Sequence, residues 1–251
     1  MRVSGPLLSR STSHCLVSFV ILGSIFESGF SQAVRGTEQP GGGAPQVLAA
    51  RPAEDWPVFL GPTGNGWSGL QGLVVPWEKQ GPRVCWTLEL GEGYCGPSVA
   101  KGLAVVFDRV AGKERLRCLK ADTGHVVWEE NNPTSYVDMF GYDGGPRSTP
   151  IIANDYVITY GATGLLECRL LSEGKLQWQV EVSDDFHVVA NFFGVGASPV
   201  VYQQASGARR QLVIVQVGGS PVDGLPADPQ RLDLVKGLDS GLVAFDIKTG
   251  E

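Results

Sequence analysis

Apolar residues along 96–251 come in short bursts of four to eight, each closed by a turn rich in glycine. This is the pattern of strands, not of helices, whose apolar positions would recur every three to four residues. In the first well-marked stretch the pattern predicts four strands, near 96–100, 103–109, 114–121 and 125–130. The turns between them are AKG, AGK and ADTG, each with a glycine where a tight reversal needs positive φ. Further on, DYVITY (155–160) and LLECRLL (165–171) flank GATG, a clear hairpin signal.

The bursts repeat as larger units. LRCLKADTGHVVW (116–128), LECRLLSEGKLQW (166–178) and LVAFDIKTGE (242–251) align on Gly124, Gly174 and Gly250. Leu116, Leu166 and Leu242 share one column, and Cys118, Cys168 and Ala244 another. Trp128 and Trp178 each stand four residues after their glycine. A proline landmark precedes each copy, at Pro97, Pro150 and Pro199. From proline to glycine the distance is 27, then 24, then 51 residues, so the third unit carries an insertion. The loop-like segment 218–241, rich in Pro, Asp and Gly, is its source. Trp86 marks the end of an earlier strand, 42 residues before Trp128, and Trp178 follows 50 later. A four-stranded repeat of about 40–50 residues predicts β-propeller blades. The fold class expected is therefore all-β, a propeller of four-stranded blades with three to four present and the ring incomplete. A plain β-sandwich gives no reason for one turn-and-tryptophan phrase to recur at blade length.

The phrase (A/L)-x-D-x-x-T-G-x-x-x-W, present as CLKADTGHVVW, CRLLSEGKLQW and AFDIKTGE, resembles the docking motif of the PQQ-like β-propeller repeat family. That family includes quinoprotein dehydrogenases and assembly lipoproteins of the BamB type. DWPVFLGPTGNGWSG (55–69) also resembles its exported bacterial members, and the resemblance covers about 55–251. It implies that Trp86, Trp128 and Trp178 lie flat between neighbouring blades, against the backbone of turns such as those at Gly124, Gly174 and Gly250. The second unit departs from the phrase, with Leu170 in place of Asp and Glu173 in place of Thr.

The N-terminal end changes the picture of location. Arg2 and Arg10 precede CLVSFVILGSIF (15–26), and Ser31 and Ala33 supply small residues before a cleavage point. The apolar run has 12 residues, short of the roughly 20 that span a bilayer. The layout predicts a secretory signal at 1–33, a flexible linker at 34–54 and the repeat domain at 55–251. The expected location is periplasmic or extracellular, with no membrane-spanning segment once the signal is removed. Removing Arg2, Arg10 and Glu27 shifts the net charge from −6 to −7, which argues against a nucleic-acid partner. Four cysteines remain, Cys85, Cys95, Cys118 and Cys168; they allow three full disulfide connectivities between which the sequence does not choose, and most of them read as free buried thiols. At the other end, GLVAFDIKTGE (241–251) reads as a third strand and its turn, with a tryptophan due four residues after Gly250. The expectation is a truncated product or fragment that is not a stable monomer.

Catalytic chemistry is harder to find. The resemblance implies that a dehydrogenase would flank its quinone with a tryptophan and a disulfide between adjacent cysteines, beside a calcium ion. The chain has no adjacent cysteine pair and no convincing calcium-ligand set. His125 and His187 have no metal-ligating partner at i±4. GVGASP (194–199) leads into a strand, so it lacks the helix N-terminus that holds a phosphate. No catalytic residue, metal or cofactor is therefore predicted; PQQ and calcium enter only under the dehydrogenase alternative. The binding candidates are the loops that precede each first strand, GEGYCG (91–96), FGYDGGPRST (140–149) and NFFGVGAS (191–198). They offer Tyr94, Tyr142, Asp143, Arg147, Asn191 and Phe193 as a shared surface for a protein partner or small ligand. Three readings follow: a non-catalytic binding or assembly scaffold, a fragment of a PQQ-dependent dehydrogenase, or a structural array without a ligand.

Overall fold

The computed structural model describes residues 54–71, 84–138, 140–186, 194–204, 210–217 and 241–251. The signal and most of the linker, the insertion at 218–240, His187, Asn191 and Phe193 lie outside the described residues.

The first sheet is β1 (Ser98–Ala100), β2 (Leu103–Val110), β3 (Lys113–Lys120) and β4 (Val126–Pro133), antiparallel in that order. Its first two hairpins turn on Lys101-Gly102 and Ala111-Gly112, all with positive φ. Two left-handed residues in a row match the twist of the strands they join. The second sheet repeats the order with β5 (Ile151–Ala153), β6 (Tyr156–Tyr160), β7 (Leu165–Leu170) and β8 (Leu176–Glu181). A four-residue helix, α1 (Val182–Asp185), follows. The third sheet has β9 (Val200–Gln203), β10 (Gln211–Val217) and β11 (Gly241–Asp246).

The second sheet is covered on both faces. Successive strand residues point to opposite sides, so Ile151 and Ile158 enter a core shared with Val213, Val215 and Phe245 of the third sheet. Their neighbours Ile152 and Val157 enter a core shared with Val105, Phe107 and Leu116 of the first. This two-sided burial explains why IIA and YVITY read as apolar runs rather than as strict alternation.

The seams between sheets repeat. Trp128 lies opposite Cys118 and Trp178 opposite Cys168, and in both sheets the register shifts at the next step. Each indole then crosses to the turn of the following sheet. The indole N–H of Trp86 donates to Ala121 O at 3.0 Å, that of Trp128 to Leu171 O at 2.8 Å, and that of Trp178 to Ile247 O at 2.8 Å. Each accepting carbonyl stands three residues before the glycine on which the ring rests. A Cβ on Gly124, Gly174 or Gly250 would come within 2.7, 2.8 and 2.8 Å of the ring. Only glycine admits the ring there and also takes the left-handed φ of 71–75°.

First strands meet in a second repeating contact. Gly96 N–H donates to Thr149 Oγ1 at 3.2 Å, and Thr149 N–H to Ser198 Oγ at 2.9 Å. All three residues directly precede the landmark prolines, so the first strands converge on one axis.

One expected element is corrected. Residues 84–90 form no strand, although their burial alternates and Trp86 docks as its counterparts do. The stretch makes no ladder among the described residues.

Candidate functional site

The loops 91–96 and 134–150 close over the same end of the first two sheets. Glu92 bonds the β2 backbone at Arg109 in both directions, at 2.9 and 2.7 Å, and Tyr94 N–H donates to Pro146 O at 2.9 Å. The chains approach so closely that a Cβ on Gly145 would lie 2.1 Å from Glu92 O. The glycines of FGYDGG thus serve backbone contact as well as turning.

Within this frame Arg147 is fully engaged. Its Nη2 lies 2.6 Å from Asp138 Oδ2 and 2.9 Å from Asp143 O, and its Nη1 donates to Gly145 O at 3.2 Å. The guanidinium lies 5.3 Å from the Tyr94 ring centre and 5.5 Å from that of Tyr136, in cation–π range of both. Asp138 also accepts the amides of Phe140 and Tyr142, at 2.8 and 3.4 Å. Burial pushes the Asp138 carboxyl up, but those amides and Arg147 outweigh it and hold the group below its ordinary value. Arg109 reinforces the loop, donating to Tyr136 O at 2.9 Å and Gly144 O at 2.8 Å. Asp143 caps its own turn by accepting Gly145 N–H at 2.8 Å.

The structure therefore brings Tyr94, Asp143 and Arg147 together and sets Tyr142 on the same loop. Asn191 and Phe193 fall outside the described residues. Tyr136, Asp138 and Arg109 escaped the sequence reading, because Asp138 and Arg147 are nine residues apart with no recurring spacing to signal the pair. Solvent meets the outer rim of this frame: Tyr142 is 72% exposed, Val137 79%, Tyr94 61% and Phe140 53%. The rings of Phe140 and Tyr142 stand 5.9 Å apart. An ion pair inside and aromatic rings outside make a surface that can stack and bury apolar groups.

Three of the four cysteines are sunk in the fold, and Cys85 is exposed instead. Cys85, Cys95, Cys118 and Cys168 are all free. Cys95 Sγ bonds the carbonyls of Pro146 and Ser148 at 3.1 and 3.0 Å, and burial pushes its thiol far up. Burial likewise pushes Cys118 up to about 11 and Cys168 up to about 12. No two of these cysteines are adjacent in the sequence. GVGASP enters β9, as its sequence indicates.

Two four-stranded antiparallel sheets and a three-stranded one, stacked face to face with tryptophan seams and converging first strands, define a β-propeller repeat protein with three sheets among the described residues. The family described as "Outer membrane protein assembly factor BamB" matches residues 66–251, and the chain belongs to that family of PQQ-like repeat proteins. No curated protein matches it. Among solved structures it is similar to a europium-containing methanol dehydrogenase, at 17% identity and a TM-score of 0.42, over 64% of this chain and 24% of that one. It is similar to a quinohemoprotein alcohol dehydrogenase from Comamonas testosteroni, at 16% identity and a TM-score of 0.41, over 64% and 20%. It is also similar to BamB from Moraxella catarrhalis, at 19% identity and a TM-score of 0.35, over 66% and 38%. The chain thus spans well under half the length of each. No helix among the described residues is long and apolar enough to cross a membrane.

Proposed function

We propose that the protein is an exported propeller that binds a protein partner, without catalysis, through the rim of the loop face. The observation that carries this is the exposure of Tyr94, Phe140, Tyr142 and Val137 on loops fixed by the Arg147–Asp138 pair. Aromatic side chains lose little freedom when they become buried, and rings presented on a rigid frame are the usual anchors of protein interfaces. The family description, an assembly factor, agrees with this reading, and the signal-like N-terminus supports export.

The dehydrogenase alternative gives a contrasting outcome. The scaffold reading expects neither a spectral change nor a rise in melting temperature when PQQ and calcium are added to the purified chain. Either response would overturn it. In the producing cell, a photo-crosslinking residue at Tyr142 should capture a discrete protein. If Tyr142→Ala and Arg147→Ala leave every partner interaction intact, the loop face is not the site.

A further inference from the structure

Residues 54–71 precede the repeats, and their sequence matches no strand of a blade. Their position is specific. Trp56 N–H donates to Val99 O at 2.7 Å, and Val99 N–H returns to Trp56 O at 2.9 Å. The next residue serves the other sheet: Pro57 O accepts Ile152 N–H at 2.8 Å. Val99 and Ile152 lie on β1 and β5, and these bonds use the edges that β2 and β6 leave open.

The sequence fits this two-sided task. Along an extended chain, backbone groups of successive residues point to opposite sides. Trp56 can therefore satisfy the first sheet with both of its groups while Pro57 faces the second. Proline has no N–H to leave unpaired there, and its carbonyl supplies what Ile152 needs. Asp55 extends the contact, with Oδ1 accepting Lys101 N–H at 3.2 Å. Val58 packs against the core shared by the second and third sheets. Beyond it the chain folds into a compact knot. Gly61 N–H bonds Val58 O at 2.9 Å, and Gly66 N–H bonds Leu60 O at 2.8 Å. Glu54 closes the knot by accepting Ser68 Oγ–H and Gly69 N–H. Gly61 is buried at φ 77°, and a Cβ there would lie 2.7 Å from the Trp56 ring. The ring is thus held by its own turn, in the same ring-on-glycine manner as the seams.

From this geometry we infer that the inner edges of β1 and β5 form a strand-accepting groove, and that Asp55–Val58 is its built-in peptide ligand. The segment caps two edges that would otherwise expose unpaired amides at the axis. It staples the first two sheets together. The groove takes a short extended peptide by backbone pairing of the β-augmentation kind, with an acid at its start meeting Lys101 N–H. The inference is independent of the function proposed for the loop rim.

Hydrogen exchange on the full chain tests it. In Trp56→Ala, exchange at the Val99 and Ile152 amides should quicken at least tenfold, while Val106 and Val157 on β2 and β6 keep their rates. A synthetic peptide of residues 53–70 should then restore slow exchange at both sites in a saturable way, and the same peptide with Trp56→Ala should not. Unchanged exchange in the variant, or a peptide that restores neither site, overturns the proposal. Should Trp56→Ala fail to fold, Asp55→Ala removes only the anchor to Lys101. It should quicken exchange at Lys101 and Val99 several-fold, and no change there overturns the proposal equally.

Discussion

At the seams between sheets one contact is made three times: an indole on a glycine, its N–H on the carbonyl three residues earlier. At the loop face one bond recurs, from Gly96 to Thr149 and from Thr149 to Ser198, and the contacts around it are of other kinds. Arg147 is held by Asp138, two tyrosine rings and two carbonyls. The seam is a solution to a packing problem that every blade shares, since two twisted sheets diverge and a broad ring fills the gap. On the function proposed above, the two divide the labour, with stability in the seams and recognition at the loop face.

The sharpest way to break that comparison is to remove a seam. Trp178 is buried and joins the core of the second and third sheets. Trp178→Ala should cost about 3–5 kcal/mol, read from the urea midpoint. Trp86, half-buried and without a blade of its own among the described residues, should cost clearly less. Equal losses at the two positions would mean that the repeated contact carries the energy irrespective of the sheet behind it.

A pair of glycines separates conformation from contact. Gly102 and Gly174 share a φ of 72°, but a Cβ at Gly102 meets nothing within 4 Å, whereas at Gly174 it comes 2.8 Å from the Trp128 ring. Gly102→Ala should cost about 1 kcal/mol for the left-handed backbone alone. Gly174→Ala should cost that and about 1–3 kcal/mol more for overpacking. Matching melting shifts in the two variants would show that the ring yields freely.

This contrast also explains what could be read in advance. The seams were legible because Gly124, Gly174 and Gly250 recur with fixed neighbours, and a physical requirement repeated three times leaves a column in the sequence. The prolines at 97, 150 and 199 were legible for the same reason. Nothing in one chain marks Asp138 as the partner of Arg147, or Arg109 as the donor to Tyr136 O, because pairings made once leave no period. Tyr94, Asp143 and Arg147 were found by reasoning about which loops share an end of the sheets, which places residues without saying which of them are already engaged. Trp56 was missed for a related cause: its pairing with Val99 crosses from outside the repeat, where periodicity is silent. The strand expected at Trp86 misled in the opposite direction, since its alternation is genuine but no ladder forms there among the described residues.

A subtler probe of the two regions is their response to pH. Glu114 on β3 is buried, and its Oε1 accepts Ala162 N–H at 2.7 Å across to the second sheet. Burial pushes its carboxyl up against the pull of that amide. A raised carboxyl favours the protonated fold, so this stability is fully present below the ordinary value and is lost as pH rises through the folded one. Asp138 at the loop face is held low, so its contribution is present above the ordinary value and is lost as pH falls through the folded one. Glu114→Gln should therefore remove a loss of stability seen in the parent as pH rises from about 4.5, while Asp138→Asn removes a loss seen on further acidification. Differences between variant and parent in denaturant midpoint, followed across pH, would show both. If the two slopes had the same sign, the seam carboxylate would not be governed by its burial.

The smallest effect on folding should belong to the residue with the largest proposed effect on binding. Tyr142 is 72% exposed; its backbone amide, not its ring, joins the Asp138 network, and its ring meets Phe140. Tyr142→Ala keeps the backbone amide, so the melting transition should stay within about 0.5 kcal/mol of the parent, as for surface changes generally. Arg147→Ala is the useful contrast. It leaves the Asp138 carboxyl buried without its cation, a loss that costs stability as well as recognition. A binding defect in Tyr142→Ala without a stability defect would locate recognition on the rim, while a defect in Arg147→Ala alone would locate it in the frame. If Tyr142→Ala destabilised the fold as much as Arg147→Ala, the rim and the frame would be one unit, and the division of labour between seams and loop face would fail at the place where it matters most.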